Sequence, residues 1–341
     1  MGRPAIIPAL SVAMSVYNAE RFLAEAIESV LGQSFSDFEF LILEDGSTDG
    51  SRAIAERLAK HDARIRIIAR ENRGLVISLN QLLNEARAPL VARMDADDIC
   101  LPDRFAQQVA FLNSNPDHGV VGCWTIDIDE TGEPYPLHVA DHPDTHQGFL
   151  AAIESRQPLL CHPAVMYRLD LVRSVGGYHA AFRHCEDLDL WLRLAGITRI
   201  CSLPQRLIQY RHYEQQVSSR HATEQQIGAA VARLAYEARV AGFSDPTENL
   251  ASLPAIEDLD ALFGRSGVSH AVRTQVAPGL LYSKAGLHDH GFDLVIQHLR
   301  DGGSRGGMWR TVARLVSFGS PLRAAKLALT LATTTTASTG R

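Results

Sequence analysis

The sequence lacks the cysteine and glycine patterns that mark several common protein classes. Its five cysteines are spread over 341 residues, and no two of them form a Cys-x-x-Cys pair. A zinc site or a disulfide framework is therefore not indicated, and buried reduced thiols are expected. Neither Gly-x-x-x-x-Gly-Lys nor a dinucleotide-binding glycine fingerprint occurs, so an ATPase or a dehydrogenase is a poor interpretation.

Long apolar runs and a strong net charge are missing as well. No uninterrupted apolar stretch approaches the ~18 residues that a membrane-spanning helix needs. The apolar start of the chain is interrupted by Pro4 and Pro8, which fits a first strand better than a signal peptide. The net charge of −6 argues against a nucleic-acid partner. These features predict a cytoplasmic protein.

Short apolar segments alternate with helical patterns through the first half of the chain. Strands are predicted at 10–16, 38–43, 65–69 and 90–94, and a helical pattern follows each one. This alternation predicts an α/β fold with a mostly parallel sheet flanked by helices. Further strands are predicted at 119–124, 161–167 and 203–211.

The second half of the sequence is mostly helical in pattern and carries fewer signals. We expect an α/β domain over residues 1–220 and a mostly helical extension over 221–341, opened by a long alanine-rich helix at 221–241. The last ~9 residues are rich in threonine and serine, and they are expected to be disordered.

Two of the predicted strands end in acidic residues, at 43–46 and 94–98. Ligands of open parallel sheets bind beyond the carboxyl ends of the strands. Carboxylates ~4–6 Å apart raise one another's pKa unless a positive charge lies between them. Asp95, Asp97 and Asp98 therefore predict a Mg²⁺ or Mn²⁺ site. The alternative is a solvated turn with an aspartate capping the next helix.

Six segments together resemble the family 2 glycosyltransferases, which have the GT-A nucleotide-sugar-binding fold. The resemblance covers about the first 215 residues. It implies an inverting enzyme that uses Mn²⁺ or Mg²⁺ and moves a sugar from a nucleotide donor, UDP-linked at first choice. The acceptor would be a hydroxyl of a glycan or a lipid-linked saccharide in surface polysaccharide synthesis. The segments are MSVYNAERFLAEAIESVLGQSF (14–35), LILEDGSTDGS (41–51), ENRGLVISLNQLLNEA (71–86), ARMDADD (92–98), HPAVMYR (162–168) and CEDLDLWLRL (185–194).

The resemblance also implies a set of donor-site residues. Asp97 is the expected direct metal ligand, Asp95 is expected to face the metal or the ribose, and Asp98 is expected to brace the loop. Asp45 is expected to accept the N3–H of a uracil ring, although an ordinary turn residue is the alternative. Tyr17 could stack on that ring or pack in the core. The other expected donor contacts are Ser15, Asn18, Glu20 and Ala96.

Catalysis is assigned by the resemblance to the segment that begins at Cys185. The carboxylate of Asp187 would accept the proton of the acceptor hydroxyl as general base, and Glu186 would position it or contact the acceptor. The same acids would also be favourable as charges at the N-terminus of a helix. His162 and Trp191 are assigned to the acceptor side, and a satisfied core position is an equal alternative for His162.

One departure from the family pattern concerns a possible further metal ligand. The family often carries Tyr-Arg-x-His after its last strand, whereas this chain has Tyr210-Arg211-His212. A shift of one residue on an extended strand turns a side chain to the opposite face. Either the loop adjusts and His212 binds the metal, or Arg211 meets the diphosphate.

The end of the chain has an uneven charge. Residues 303–341 contain six basic residues and no acidic one. The apolar and basic stretch 308–332 could lie on an anionic membrane surface, as a peripheral contact at the inner face. The alternative is a helix packed on the protein with its arginines at the rim.

Two other functions remain open from the sequence. A non-catalytic nucleotide-sugar-binding or scaffold protein would keep Asp45 and the acidic cluster but would not need Asp187. A metal-dependent nucleotidyltransferase or pyrophosphatase would need a basic phosphate-binding loop after the first strand, and the sequence MSVYNAE has none.

Overall fold

The strands predicted in the first half of the chain build the centre of a mixed eight-stranded sheet. The computed structural model describes residues 7–136, 141–214, 216 and 220–334. The strands are β1 (Leu10–Val16), β2 (Phe38–Asp45), β3 (Ile65–Arg70), β4 (Leu90–Met94), β5 (Ile99–Cys100), β6 (His118–Ile128), β7 (Met166–Arg168) and β8 (Arg199–Arg211).

The sheet has the order β3-β2-β1-β4-β7-β6-β8-β5. Strands β1 to β4 run parallel, as do β6 and β8, whereas β7 is antiparallel to both of its neighbours and β5 is antiparallel to β8. Every residue of β2 and β4 is buried, as expected for parallel strands covered on both faces. The predicted α/β fold with a mostly parallel sheet is thus confirmed.

Helices flank this sheet. Their apolar residues recur at helical spacing and form a stripe that can pack on the sheet. In the first of them, Leu23, Ala26, Ile27 and Val30 are buried, so a single stripe packs on the core. The helices are α1 (Leu23–Leu31), α2 (Ser51–Ala59), α3 (Leu75–Glu85), α4 (Arg104–Ser114), α5 (His146–Glu154) and α6 (Leu169–Ser174).

One predicted strand is shorter than the sequence indicated. The segment 161–167 was expected to be extended throughout, but His162–Ala164 forms a 3₁₀ turn and β7 begins only at Met166. Pro163 lies in that turn, and proline has no N–H to donate to a neighbouring strand. The strand prediction was therefore wrong for this part of the segment.

A buried arginine fixes the end of β4. Arg104 is fully buried, and its guanidinium donates hydrogen bonds to the carbonyl oxygens of Arg93 at 2.9 Å and Val165 at 3.1 Å. A buried guanidinium must have its donors satisfied, so this network holds the strand where the acidic cluster begins.

The chain divides into two units. The first contains Met1–His179 and Leu190–Tyr213, and the second contains Ala180–Asp189 and Glu214–Arg341. The segment with Glu186 and Asp187, which the sequence placed in the α/β domain, therefore belongs to the second unit. Helix α7 (Glu186–Leu194) begins in the second unit and ends in the first.

The second unit is helical in its described part, as predicted. None of the described helices is long and apolar enough to cross a membrane. The expected disorder at the end of the chain falls almost entirely on residues 335–341, which lie outside the described residues. The remaining helices are α8 (Ala222–Val240), α9 (Leu259–Leu262), α10 (Val268–Leu280), α11 (Lys284–His288), α12 (Gly291–Arg300), α13 (Met308–Ser317) and α14 (Pro321–Thr333).

Candidate functional site

The acidic cluster lies directly after β4, at the carboxyl end of the parallel strands. Each of Asp95, Asp97 and Asp98 offers a carboxylate oxygen, and these oxygens all lie within 4.8 Å of one another. Asp98 is buried and accepts the backbone N–H of Arg211 at 2.8 Å, a contact that fits a bracing role. Asp95 and Asp97 are partly exposed.

The electrostatics of the cluster show a shortage of positive charge. Burial and the neighbouring Asp95 raise the pKa of Asp97 to about 6. Burial and Asp97 also raise the pKa of Asp98 well above its usual range. Arg93, a buried arginine on β4, forms an ion pair with Asp95. One arginine does not balance three carboxylates, so a bound cation would relieve their mutual repulsion.

The donor atoms of the cluster also fit a hard cation. Carboxylate oxygens are the ligands that Mg²⁺ and Mn²⁺ prefer. Asp95 and Asp97 together can supply two of them, and a diphosphate would complete the coordination. The residues present thus fit the metal that the sequence predicts.

The loops after β1 and β2 are joined by side-chain hydrogen bonds. Asn18 has a positive φ of 49°, its N–H donates to the hydroxyl of Ser47 at 3.0 Å, and its side-chain oxygen accepts the N–H of Thr48 at 2.8 Å. Glu20 accepts the N–H of Gly50 at 2.6 Å. Tyr17 is 52% exposed, so its ring remains accessible for stacking beside these joined loops.

Two other predicted donor contacts lie on or next to the strands. Ser15 is half-buried on β1, opposite Leu43 of β2. Ala96, which lies between Asp95 and Asp97 in the sequence, is buried.

The carboxylate of Asp45 has more hydrogen-bond and ion-pair partners within the protein than the sequence indicated. Its carboxylate accepts the backbone N–H groups of Arg73 at 3.0 Å and Gly74 at 2.8 Å, and it pairs with Arg70 at 2.9 Å. Gly46 follows with a φ of 75°, and a Cβ there would lie 2.5 Å from the backbone nitrogen of Asn72. The base contact at Asp45 remains a prediction, and a nucleobase would share the carboxylate with these three donors.

The structure does not bring His212 to the acidic cluster. Its Nε2 lies 2.8 Å from an oxygen of Asp127, and its ring stacks on Tyr135 with centroids 4.2 Å apart. In this structure His212 is therefore paired away from the acidic cluster, and its role as a metal ligand stays a prediction. Because the residue lies one position early, its side chain leaves the opposite side of the extended chain.

Arg211, the alternative contact for the diphosphate, is also turned inward. Its side chain is 3% exposed, pairs with Glu25 at 2.7 Å and donates to the carbonyl oxygen of Asp97 at 2.8 Å. The guanidinium lies over the ring of Phe22, 4.4 Å from its centroid. Arg211 thus holds the loop of the cluster instead of facing a ligand.

Two residues of this site were missed in the sequence. The hydroxyl of Tyr213 donates to Asp97 Oδ2 at 2.8 Å, and Arg93 pairs with Asp95. Tyr213 stands where the Tyr-Arg-x-His pattern would place its histidine, and Arg93 lies two residues before the first aspartate. Both signals were present, but only the fold shows that these side chains point toward the carboxylates.

His162 and Trp191 lie in the core of the first unit. The Nε2 of His162 is 2.9 Å from the hydroxyl of Tyr178, and burial and then Arg93 lower the pKa of His162 well below its usual range. Trp191 is 1% exposed, with its ring 6.0 Å from that of His162. Both side chains are buried, which fits the core alternative for His162, and the acceptor-side assignment stays a prediction for both residues.

Glu186 and Asp187 open helix α7 in the second unit. Glu186 is buried and Asp187 is half-buried, with one carboxylate oxygen accepting the N–H of Leu188 at 2.7 Å. Asp189 adds a third acid to the first helical turn, where negative charge is favourable to the helix dipole. The alternative role as helix-terminal charges thus fits, and it is compatible with a base at Asp187.

Comparison with known sequences identifies glycosyltransferase relatives. The sequence profile described as Glycosyl transferase family 2 matches residues 11–176. The chain is 38% identical to the putative glycosyltransferase EpsE of Bacillus subtilis (strain 168), over 54% of this chain and 66% of that protein. It is 33% identical to the amylovoran biosynthesis glycosyltransferase AmsE of Erwinia amylovora, over 62% of this chain and 79% of that protein.

Solved structures share the fold at lower identity. The complex of residues 1–349 of S. aureus TarS with UDP-GlcNAc matches with a TM-score of 0.57 and 19% identity, covering 95% of this chain and 88% of that one. The mannosyltransferase PcManGT of Pyrobaculum calidifontis, in complex with GDP-Man and Mn²⁺, matches with a TM-score of 0.51 and 18% identity, covering 96% and 81%. These neighbours show the fold, and the sequence profile and the sequence relatives show that the chain belongs to the family 2 glycosyltransferases and is a transferase.

Proposed function

We propose that this enzyme is an inverting, metal-dependent glycosyltransferase of cell-surface polysaccharide synthesis, acting at the cytoplasmic side of the membrane. The observation that carries the proposal is the cluster of three carboxylates at the end of β4, whose oxygens lie within 4.8 Å of one another. The donor would be a UDP-sugar by preference. Relatives named for amylovoran and O-antigen biosynthesis and a structural neighbour that holds UDP-GlcNAc support it.

The first unit would hold the donor. Asp97 and Asp95 would bind Mn²⁺ or Mg²⁺, and the ion would neutralise the charge that develops on the leaving diphosphate. Tyr17 would stack on the base and Asp45 would accept its N3–H. Asn18 and Glu20 would keep the surrounding loops in place through the hydrogen bonds described above, with Ser15 and Ala96 lining the same end of the sheet.

Asp187, at the start of helix α7, would supply the base for the transfer. Asp187 would accept the proton of the acceptor hydroxyl as its oxygen forms a bond to the anomeric carbon. The bond between that carbon and the diphosphate oxygen breaks, and the nucleoside diphosphate leaves with the electron pair. One displacement inverts the anomeric configuration. Glu186, buried beside the base, would position it.

A lipid-linked saccharide is the acceptor that the second unit favours. A cavity of about 520 Å³ is lined by Ala181 and Arg183, on the segment that leads to Asp187. Apolar residues supply most of its other walls, and Arg183, His290, Glu224 and Glu257 add polar groups. Such a cavity would suit the apolar part of a lipid carrier. Contact of segment 308–332 with a membrane would serve this acceptor.

Calorimetric binding of nucleotides tests the donor site. UDP, GDP, dTDP and CDP would each be titrated with and without Mn²⁺. We expect binding of one base, UDP foremost, that requires the metal and that survives in Asp187→Asn. Absence of binding for all four nucleotides with Mn²⁺ would remove the donor-site proposal.

Donor-sugar hydrolysis and transfer test the chemistry. With a bound donor identified, Asp187→Asn should lower kcat by about 10²–10⁴-fold, the range of a lost general base, while the nucleotide affinity stays unchanged. Glu237→Gln, an exposed acid of the second unit that does not line the cavity described above, is the matched control. The configuration of the product by NMR should be opposite to that of the donor. Retention of configuration would contradict the single-displacement mechanism.

A further inference from the structure

The last two described helices expose large apolar side chains in a regular arrangement. Trp309 and Val316 on α13 are 61% and 58% exposed, and Leu322 and Leu329 on α14 are 87% and 66% exposed. Each pair is separated by seven residues, which is two helical turns, so both members lie on one face of their helix. Exposed apolar residues at such spacing need a partner.

The two helices are folded against the rest of the second unit by their other sides. Helix α13 buries Met308 and Leu315, and α14 buries Ala324, Leu327 and Leu331. The two helices also pack against each other. The exposed apolar residues of both helices are therefore surplus to the packing of the unit, and folding leaves them open.

An exposed tyrosine extends this surface. Tyr282 is 74% exposed, and Arg314 of α13 donates to its carbonyl oxygen at 3.1 Å with the guanidinium 5.9 Å from the ring centroid. A Cβ on Gly307, directly before α13, would lie 3.6 Å from the Tyr282 hydroxyl. Tyr282 thus lies beside the helix that carries Trp309. We define the apolar face as Tyr282, Trp309, Val316, Leu322 and Leu329.

The charge around the apolar face selects the kind of partner. From Gly303 to Arg341 there is no Asp or Glu, and Arg310 is exposed next to Trp309. Arg323 donates to the carbonyl oxygens of Leu287 and Asp289, which fixes its guanidinium in place and leaves its positive charge intact. Lys326, between Leu322 and Leu329 on α14, pairs with Asp293 of α12 at 2.9 Å, so this pair adds no net charge. Exposed tryptophan and tyrosine, aliphatic side chains and the exposed Arg310 match the interface of an anionic bilayer.

We propose that the apolar face docks the enzyme on an anionic phospholipid surface, with Trp309, Leu322 and Leu329 entering the headgroup region and Arg310 contacting lipid phosphates. This inference rests on the proposed function only for its biological role, since it would bring the enzyme to a lipid-linked acceptor. The docking itself requires no nucleotide, metal or sugar.

Sedimentation with lipid vesicles tests the proposal on the full chain. Wild-type protein should bind vesicles of phosphatidylglycerol mixed with phosphatidylcholine, and more weakly bind phosphatidylcholine alone. The double variant Leu322→Gln/Leu329→Gln should lower the partition coefficient by about tenfold or more. Arg310→Gln should lower it about fivefold at low salt. Val240→Gln, a residue 69% exposed on α8, should change nothing.

Tryptophan fluorescence supplies a second measurement of the same docking. Trp191 is buried and Trp124 is half-buried, so a blue shift on adding anionic vesicles should come from Trp309. The shift should disappear in Trp309→Phe. All variants should keep the metal-dependent nucleotide affinity of the wild type, which separates a failure of docking from a failure of the glycosyltransferase site.

Two results would overturn the proposal. One is absence of vesicle binding, or equal binding by the double variant and the wild type. The other is a wild-type dimer in analytical ultracentrifugation that becomes monomeric in the double variant without any vesicle effect. That result would assign the apolar face to a second copy of the chain.

Discussion

The acidic ends of β2 and β4 lie at the same edge of one sheet and are used in opposite ways. After β2, the carboxylate of Asp45 accepts two backbone N–H groups and pairs with Arg70. After β4, three carboxylates crowd together, and the pKa of Asp97 rises to about 6 through burial and Asp95. Both acids lie at the end of a strand, at the same edge of the sheet. What separates the structural acid from the one that would bind a cation is the number of hydrogen-bond and ion-pair donors around its carboxylate.

The loops explain this difference. The turn at Gly46 brings the chain beside Arg73 and Gly74, whose N–H groups point at Asp45. The loop after β4 instead places alternate aspartates in one short turn and leaves them to share Arg93 and the hydroxyl of Tyr213. The β2 end is therefore stable without a ligand, and the β4 end is not neutralised by the protein alone.

Of all the substitutions, replacing Asp97 at the end of β4 should have the largest effect on cation binding. Asp97→Asn should weaken Mn²⁺-dependent nucleotide binding by more than about a hundredfold, since loss of a residue that only hydrogen-bonds to a metal ligand already costs about 10–100-fold. The free energy of unfolding of the metal-free protein should stay the same or rise by about 1 kcal/mol, because one like charge is removed. Calorimetry and urea denaturation would measure both quantities. A large loss of stability would show that Asp97 is structural, like Asp45.

Replacing Asp45 should instead lower the stability of the fold. Asp45→Asn leaves Arg70 without its carboxylate partner and turns an acceptor into a donor beside backbone N–H groups, at a cost of about 2 kcal/mol in the free energy of unfolding. Glu85→Gln is the matched control, because its ion pair with Arg66 is 40% exposed and should contribute about 0.5 kcal/mol. Equal stability of the two variants would contradict the comparison.

The pH dependence of metal binding sharpens the comparison. A cation needs ionised Asp97, so Mn²⁺ affinity should rise with pH up to about 6 and fall by about tenfold per unit below it. The free energy of unfolding of the metal-free protein should change with pH in the opposite direction. Because the folded pKa lies above the ordinary value of 3.8, the metal-free fold binds the proton more tightly than the unfolded chain, and this contribution to stability is lost as pH rises through about 6.

Titration of Mn²⁺ by electron paramagnetic resonance between acidic and neutral pH would give the affinity curve. Urea denaturation of the metal-free protein over the same range would give the stability curve. Affinity that does not change across this range would show that Asp97 is already ionised at low pH.

The smallest effects on Mn²⁺ affinity are expected from substitutions at the two residues after β8. Tyr213→Phe removes the hydrogen bond to Asp97 at 2.8 Å, so the pKa of Asp97 should rise further and Mn²⁺ affinity at neutral pH should fall about two- to fivefold. His212→Ala should leave the affinity unchanged, because its ring contacts Asp127 and Tyr135 instead. A larger loss in His212→Ala than in Tyr213→Phe would restore the histidine as a ligand.

The spacing of apolar residues predicted the strands and helices, but it did not predict the direction in which individual side chains point. The strands at 10–16 and 90–94 and the helix at 221–241 agree with the structure within about one residue, because apolar alternation reports burial directly. The family pattern placed His162, Trp191 and His212 at a substrate or metal, and the structure turns all three toward protein neighbours. Spacing along a chain does not fix which face of a segment packs inward.

The sequence by itself determined the α/β class, the family and the acidic cluster, since each depends on local pattern and residue type. Tertiary structure decided which acids are satisfied. Asp45 meets donors from residues 28 and 29 positions away, and Asp97 meets Tyr213 from 116 positions away. It also decided that the apolar side chains of α13 and α14 stay exposed. Both outcomes depend on distant parts of the chain coming together, and the energy of a charge or an apolar surface is set by what surrounds it after folding.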